Sequence, residues 1–369
     1  MRASIHRGQG RRQPLNFGAE AGELLPPACI IRPDREDDGM NERFKAMVIS
    51  DAEGKPRGAF QDLTLADLPD NDVLVEISHS SLNYKDGLAI TGKGRIARRL
   101  PMVAGIDLAG KVVESRDPQW QPGEAVIVTG WGLSETEWGG YSRYQRVKPA
   151  HLTRLPKGFS PLEAMAIGTA GFTAALCVLA LQEFGSLDRQ PGEVLVTGAA
   201  GGVGSIAIAL LARLSYRVTA STGRPQEHGF LGDLGAAAFL DRAELSAPGK
   251  MLQPERWTAA VDSVGSHTLA NVLAQMDYGA AVAACGLAGG ADLPASVMPH
   301  ILRGVALLGV DSVHAPADRR VRAWDLLDRQ LDRDLLAALT QVAHFADLPA
   351  LAEQIVAGQV RGRIVIELG

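Results

Sequence analysis

Tyr84, Lys85 and Asp86 stand side by side in "SLNYKDGLAITGKGR", which runs from Ser81 to Arg95. A phenol can donate a proton or a hydrogen bond to an anion developing on a substrate, so Tyr84 and Asp86 are the candidate catalytic residues. Asp86 can orient Tyr84 or a water, or it can cap a turn before Gly87. Lys85 can pair with a phosphate or face solvent. The same choice holds for Lys93 and Arg95, which cluster with Arg98 and Arg99 within seven positions. "TGKGR" looks like a fragment of a phosphate loop. It lacks the first glycine at the required spacing and any Ser or Thr after it, so an ATP site is rejected.

A second constellation lies in "VLVTGAAGGVGSIAIAL", from Val194 to Leu210. A β-branched strand precedes its glycines and an alanine-rich helix follows. Glycines let a backbone approach a pyrophosphate, which then rests on the helix N-terminus. Gly201, Gly202, Val203 and Gly204 are therefore candidate cofactor contacts. The next strand chooses between nicotinamide cofactors. An NAD site usually ends it with an acid that binds the ribose 2′-hydroxyl. Here the chain reads "VTASTGRPQ". Ser221, Thr222 and Arg224 stand where the acid would be, and a hydroxyl with a guanidinium suits a 2′-phosphate. The pattern points to NADPH.

No metal site is legible. The eight histidines are scattered, none at ligand spacing, and Cys29, Cys177 and Cys285 form no CxxC pair. His79 reads as a strand histidine satisfied locally and Cys177 as a packed core thiol. Three distant cysteines point to a reducing, cytoplasmic compartment without disulfides. A net charge of −5 and 5% aromatic residues argue against nucleic acid or an anionic membrane as partner. No apolar run is expected to reach the length of a membrane span.

The elements that must position these groups follow from periodicity. Residues 1–44 have no hydrophobic period and are expected to be a disordered extension, with Met40 or Met47 as the true start. Arg2, Arg7, Arg11 and Arg12 without an acid imitate a transit peptide, but its apolar face is missing. From Lys45, "FKAMVIS", "DVLVEISHSSLN", "AGKVVES" and "EAVIVTG" are short strands between turn residues, a small bent β-domain. "SPLEAMAIGTAGFTAALCVLALQEFG" is a helix opened by a Ser-Pro cap. Strands and helices then alternate from "GEVLVTG" to "GVALLGVDS", which means right-handed βαβ units on a parallel sheet. Two helices and the strand "GRIVIEL" close the chain.

These segments together resemble the medium-chain dehydrogenase/reductases. Within them the chain is most similar to the zinc-free acrylyl-CoA reductase group, also called quinone oxidoreductase-like. The matching stretches are "SSLNYKDGLAITGKG", "GIDLAGKV", "TGWG", "WGGYSRYQRVK", "IGTAGFTA", "TGAAGGVGS", "AQMDYGAAVAACGLAGG" and "ILRGVALLGVDSV". The resemblance implies an α/β chain: a GroES-like β-rich catalytic domain over 45–165 and 310–369, and a Rossmann doubly wound parallel-sheet domain over 166–309. Zinc alcohol dehydrogenases carry a ligand Cys where this chain has "NYKD", and a His in the motif that here reads Gly105-Ile106-Asp107. Those departures imply a site without metal. The resemblance also implies NADPH-dependent reduction of the C=C bond of acryloyl-CoA, with Tyr84 beside the nicotinamide. Thr169 and Thr173 of "IGTAGFTA" and Leu287 and Ala288 of "CGLAGG" would line the cofactor, with Cys285 as a wall. Arg363 would reach back to it, Lys85, Lys93 and Arg95 would be candidates for the coenzyme A phosphates, and the chain would be a homodimer. The alternatives are an NADPH quinone reductase on the same scaffold and a protein that binds NADPH or single-stranded RNA without turnover.

Overall fold

The computed structural model describes residues 42–368, apart from 53 and 189–191. The expected disordered extension therefore lies almost wholly outside the described residues. Its boundary moves slightly, because Phe44 is buried and already begins the strand Phe44–Ala52.

Six parallel strands form one sheet, in the spatial order Ala236–Asp241, Arg217–Thr222, Glu193–Val196, Trp257–Asp262, Met276–Ala284, Ala306–Gly309. Counted along the chain this is third, second, first, fourth, fifth, sixth. That order places a crevice at the end of the first strand, where the strand direction of growth reverses. The strand Trp257–Asp262 is buried at every position, as a sheet covered on both faces requires. This is the doubly wound half expected from the alternation.

The β-rich half contains a seven-stranded sheet, whose path is Thr340–His344, Arg363–Glu367, Val73–Leu82, Asp107–Ser115, Ala125–Thr129, Thr153–Arg154, with Tyr144–Val147 paired to Val73–Leu82. The antiparallel strands Lys55–Leu63, Phe44–Ala52 and Met102–Val103 make a smaller sheet. The chain end thus returns to the first half: Ile364 pairs with Leu82 and Val365 with Ser81. Lys55–Leu63 has mostly exposed side chains and was not legible as a strand. Only its hairpin register against Phe44–Ala52 makes it one.

Ser160 opens the helix Pro161–Phe184 with a capping box to Glu163 and proline in its first turn. This helix corrects one expectation. It is long and apolar enough to cross a membrane, yet 83% of that span is buried inside the fold. Its all-round apolarity has a local cause. Strands of the seven-stranded sheet, the strand Met276–Ala284 and the helices Gly202–Arg213 and Ala317–Gln330 all pack on it.

The opening stretch is helical, with Tyr84–Thr91 forming one short helix. Asn83 is its N-cap and Asp86 sits at the third position, so the two side chains satisfy each other's backbone N–H groups.

Candidate functional site

The two halves meet at a buried polar cluster. Asn83, at the end of the strand Val73–Leu82, donates from Nδ2 to Asp107 Oδ2 at 2.9 Å, to Ser81 Oγ at 3.0 Å and to Asp86 Oδ2 at 3.2 Å. Asp86 accepts from the backbone of Asn83 at 3.0 Å and of Ile106 at 2.9 Å. Asp107 accepts from Thr169 N at 2.9 Å and from the hydroxyls of Ser81 and Thr169. Asp86, Asp107 and Tyr141 are fully buried. Burial, reinforced by the Asp107 charge, pushes the Asp86 carboxyl up to about 7, against the pull of its hydrogen bonds to Asn83 and Ile106. Burial also raises Tyr141 well above the usual phenol range, and its hydroxyl donates to Ser81 O at 2.9 Å.

Arg363 answers these carboxyls from the last strand. It is 2% exposed; Nε donates to Ala166 O at 2.7 Å and Nη1 to Asn83 Oδ1 at 3.2 Å. Its Nη2 is buried without a partner. A buried, unspent guanidinium donor costs free energy unless a ligand takes it. The cradle around it is specific. A Cβ built on Gly202, in the first turn of the nucleotide-loop helix, would stand 2.7 Å from Arg363 Nη1. Gly362 N reaches Ala200 O at 3.1 Å. The guanidinium therefore lies against the helix N-terminus where a pyrophosphate would rest.

Gly168 makes this meeting possible. Inside the central helix it adopts φ 51° and ψ −162°, which breaks the spiral and turns Thr169 N and Oγ1 onto Asp107. A Cβ there would meet Arg363 Nη2 and Ser81 Oγ at 2.7 Å and Asp107 Oδ2 at 2.8 Å. Gly168→Ala is expected to lose at least about 1–3 kcal/mol, seen as a lower urea midpoint with unchanged slope. An unchanged midpoint would show that the helix can relax around the break.

The nucleotide loop has the expected form. Gly198 has φ 59°, Gly201 is the N-cap of the helix Gly202–Arg213, and a Cβ on Gly204 would stand 2.4 Å from Gly198 O. Val203 is half-buried on the same turn. Ser221 and Thr222 are buried at the end of their strand, with Ser221 O accepting from Ala199 N at 3.3 Å. Arg224 follows; its guanidinium donates to Val360 O at 3.3 and 3.4 Å and keeps donors to spare. Arg242, not expected from the sequence, lies over Gly223, where an added Cβ would be 2.3 Å from its Nε. Arg361 approaches Glu227 at 3.5 Å in the same neighbourhood. Position along the chain hides these two arginines, since neither belongs to the strand that ends in Ser221 and Thr222.

Other expected residues fall as follows. Tyr84 is the first residue of its helix and 40% exposed, with no hydrogen bond among the described contacts. Asp86 does not reach that phenol: as a third-position cap its carboxyl turns back into the interior, so it fixes Asn83 and the start of the helix instead. Thr173 donates to Thr169 O at 2.7 Å, one turn along the central helix. Leu287 and Ala288 are exposed past the end of the strand Met276–Ala284. Cys177 and Cys285 are free thiols that lie together; the bond to Cys285, with burial, holds Cys177 well above the usual thiol range. His79 is half-buried and bonded to Ser78 Oγ at 2.9 Å, and burial lowers it. Lys85 pairs with Glu135 at 2.6 Å and Lys93 with Glu353 at 2.7 Å, while Arg95 is exposed.

A catalytic zinc does not fit this cluster. Among the described residues no three His, Cys, Asp or Glu side chains converge. The two carboxylates present are taken up by Asn83, Ser81, Thr169 and backbone N–H donors.

Comparison with known proteins agrees with this architecture. Residues 69–157 match the alcohol dehydrogenase GroES-like domain and residues 202–329 the zinc-binding dehydrogenase family. The acrylyl-CoA reductase AcuI of Ruegeria pomeroyi is 49% identical over 328 residues, covering 88% of this chain and 99% of that one. The putative quinone oxidoreductase YhfP of Bacillus subtilis is 42% identical, over 83% of this chain and 93% of its own. The crystal structure of the Salmonella enterica yhdH oxidoreductase in complex with NADP superposes with a TM-score of 0.85 at 49% identity, covering 88% of this chain and 100% of that one. A GroES-like β-rich half, a doubly wound half and these relatives together establish that the chain belongs to the medium-chain dehydrogenase/reductase family, close to its acrylyl-CoA reductases.

Proposed function

We propose that this protein reduces the C=C bond of acryloyl-CoA, or a similar short enoyl thioester, to the saturated thioester with NADPH and without metal. The observation that carries the reading is the joint placement of Tyr84, Arg363 and Gly202. A free phenol starts one helix, and the polar cluster behind that helix ends in the Arg363 guanidinium, whose Nη1 faces Gly202 of the nucleotide loop and whose Nη2 is buried without a partner. The relatives named for acrylyl-CoA reduction and for bound NADP support it.

When bound, NADPH would supply the hydride that adds to the β-carbon of the substrate. The thioester itself activates the alkene, so its oxygen takes the displaced electron pair and the α-carbon then takes a proton. Gly201 to Gly204 and Arg363 would hold the pyrophosphate, Ser221, Thr222, Arg224 and Arg242 the 2′-phosphate. Thr169, Thr173, Leu287 and Ala288 would line the nicotinamide. Tyr84 would donate to the enolate oxygen or to the α-carbon, with Asn83 and Asp86 fixing its helix. Purified protein oxidising NADPH with acryloyl-CoA but not with a benzoquinone is the expected result. The reverse selectivity favours a quinone reductase, which the YhfP likeness keeps as the second reading.

The domain division at about 165 and 310 belongs to this proposal, supported by the return of Arg363–Glu367 to the strand Val73–Leu82. A homodimer belongs to it too. The strand Ala306–Gly309 lies at the sheet edge, and Val297, Ile301 and Leu302 near it are more than half exposed. A cytoplasmic location rests on the free thiols of Cys177 and Cys285.

Cofactor choice gives one direct expectation. Arg224→Glu should raise the KM for NADPH roughly tenfold or more while leaving that for NADH nearly unchanged, since one charge-assisted contact to the 2′-phosphate becomes repulsive. Equal losses for both cofactors would remove Arg224 as the discriminator.

A further inference from the structure

The cluster after the site helix divides into spent and unspent cations. Between Gly87 and Ile106 the chain carries Lys93, Arg95, Arg98 and Arg99 and no acid, in a protein whose net charge is −5. Lys93 is neutralised by Glu353, and Lys85, beside Tyr84, by Glu135. The side chains of Arg95, Arg98 and Arg99 are exposed, and among the described residues none forms an ion pair or a side-chain hydrogen bond.

The segment that displays them is anchored. Gly94 N donates to Leu88 O at 3.1 Å and Arg98 N to Glu135 O at 2.7 Å. Ala97 is buried and Ile96 packs on the same apolar cluster as Ile90. An added Cβ on Gly94 would touch Leu88 at 3.0 Å. The position is equally informative. Glu135 receives the Arg98 backbone and holds the ammonium of Lys85, the residue after Tyr84. The free guanidiniums therefore start from backbone joined through Glu135 to Lys85, the residue that follows Tyr84. They lie on the β-rich half, apart from Ser221, Arg224 and Arg242, which serve the cofactor's phosphate at the doubly wound sheet.

The geometry points to a phosphate-binding rim in which Arg95, Arg98 and Arg99, rather than Lys85 and Lys93, hold the 3′-phospho-ADP end of a coenzyme A thioester. This rests on the reductase reading of the site. A guanidinium fork binds phosphate through paired N–H groups, and a fixed loop spares part of the ordering entropy.

The test compares two substrates with one reacting end. Acryloyl-CoA carries the phosphates; the acryloyl thioester of N-acetylcysteamine lacks them. Steady-state kinetics at saturating NADPH are measured for wild type and for Arg98→Glu, Arg99→Glu and the double variant, with melting curves to verify folding. The KM for acryloyl-CoA is expected to rise roughly tenfold or more in the double variant, with little change for the truncated thioester. The wild-type KM for acryloyl-CoA alone should climb with salt. An unchanged ratio between the two KM values overturns the rim. If wild type reduces neither thioester, the reductase reading fails separately, and calorimetry on the NADP-loaded protein still reads the rim. CoA should then bind more tightly than 3′-dephospho-CoA, with the preference lost in the double variant; equal binding of the two by wild type overturns it.

Discussion

Arg363→Met is expected to cost about 3–5 kcal/mol of folding stability, because it removes one partner from a buried set of charges. The guanidinium is 2% exposed and interacts with the charges of both Asp86 and Asp107, with burial drawing its own titration down. Methionine fills much of the volume, so the loss reports charge and hydrogen bonds more than a cavity. Ala166 O and Asn83 Oδ1 both lose their donor. Arg363→Lys separates stability from function. It keeps the charge while losing the fork that reaches Ala166, Asn83 and the spare direction of Nη2. Its melting temperature should lie between those of wild type and Arg363→Met. Its KM should rise by a similar factor for NADPH and NADH, roughly ten- to a hundredfold, because the pyrophosphate is common to both. That symmetry distinguishes it from Arg224→Glu. A wild-type melting curve for Arg363→Met would mean that the carboxyls are satisfied without it, and the role of Arg363 as the hub would fall.

What was legible in the sequence was what local pattern encodes. The strand, glycines and helix from Val194 to Leu210 announce themselves through β-branching, Gly spacing and alanine content, and the structure keeps that order. The Ser160-Pro161 start of the central helix is local for the same reason. The buried cluster was not legible, because its members come from five separate stretches: Ser81 and Asn83, Asp107, Tyr141, Thr169, and Arg363. Asp107 served only as a reason to doubt zinc, although a lone carboxylate in the otherwise apolar run Met102–Gly110 is itself a sign of a buried partner. Asn83 with Asp86 three residues on is a capping box, and reading it would have turned the opening stretch into a helix with Asp86 facing inward. The length and apolarity of Pro161–Phe184 were likewise understated, since a soluble core helix and a membrane span share that composition.

The largest kinetic effect is expected at Tyr84. Tyr84→Phe keeps the ring and deletes the hydroxyl of an exposed residue that has no hydrogen bond among the described contacts, so folding should be unaffected. If the phenol gives the proton in the transition state, kcat falls about 10²–10⁴-fold while the KM for NADPH changes little. A loss near tenfold fits a hydrogen bond that only orients the enolate. Asp86→Asn tests the support beneath it, and here pH separates two roles. The folded Asp86 carboxyl titrates at about 7, against an ordinary value of 3.8, so between those limits the native state holds a proton that the unfolded chain has released. Stability then falls as pH rises through that window, by up to roughly 4 kcal/mol, and levels off above about 7. Asparagine cannot titrate. The stability of wild type relative to Asp86→Asn should therefore decline from pH 5 to pH 8, as followed by urea unfolding at each pH. A pH-independent difference would show that Asp86 is ionised throughout. Stopped-flow NADPH oxidation with acryloyl-CoA over the same range supplies the functional half. A wild-type kcat that drops as pH passes about 7, and a flat profile in Asp86→Asn, would mean that the neutral carboxyl keeps Asn83 and the helix start in the productive arrangement. Full activity in Tyr84→Phe at every pH would leave the phenol as a wall of the pocket and pass the proton to water.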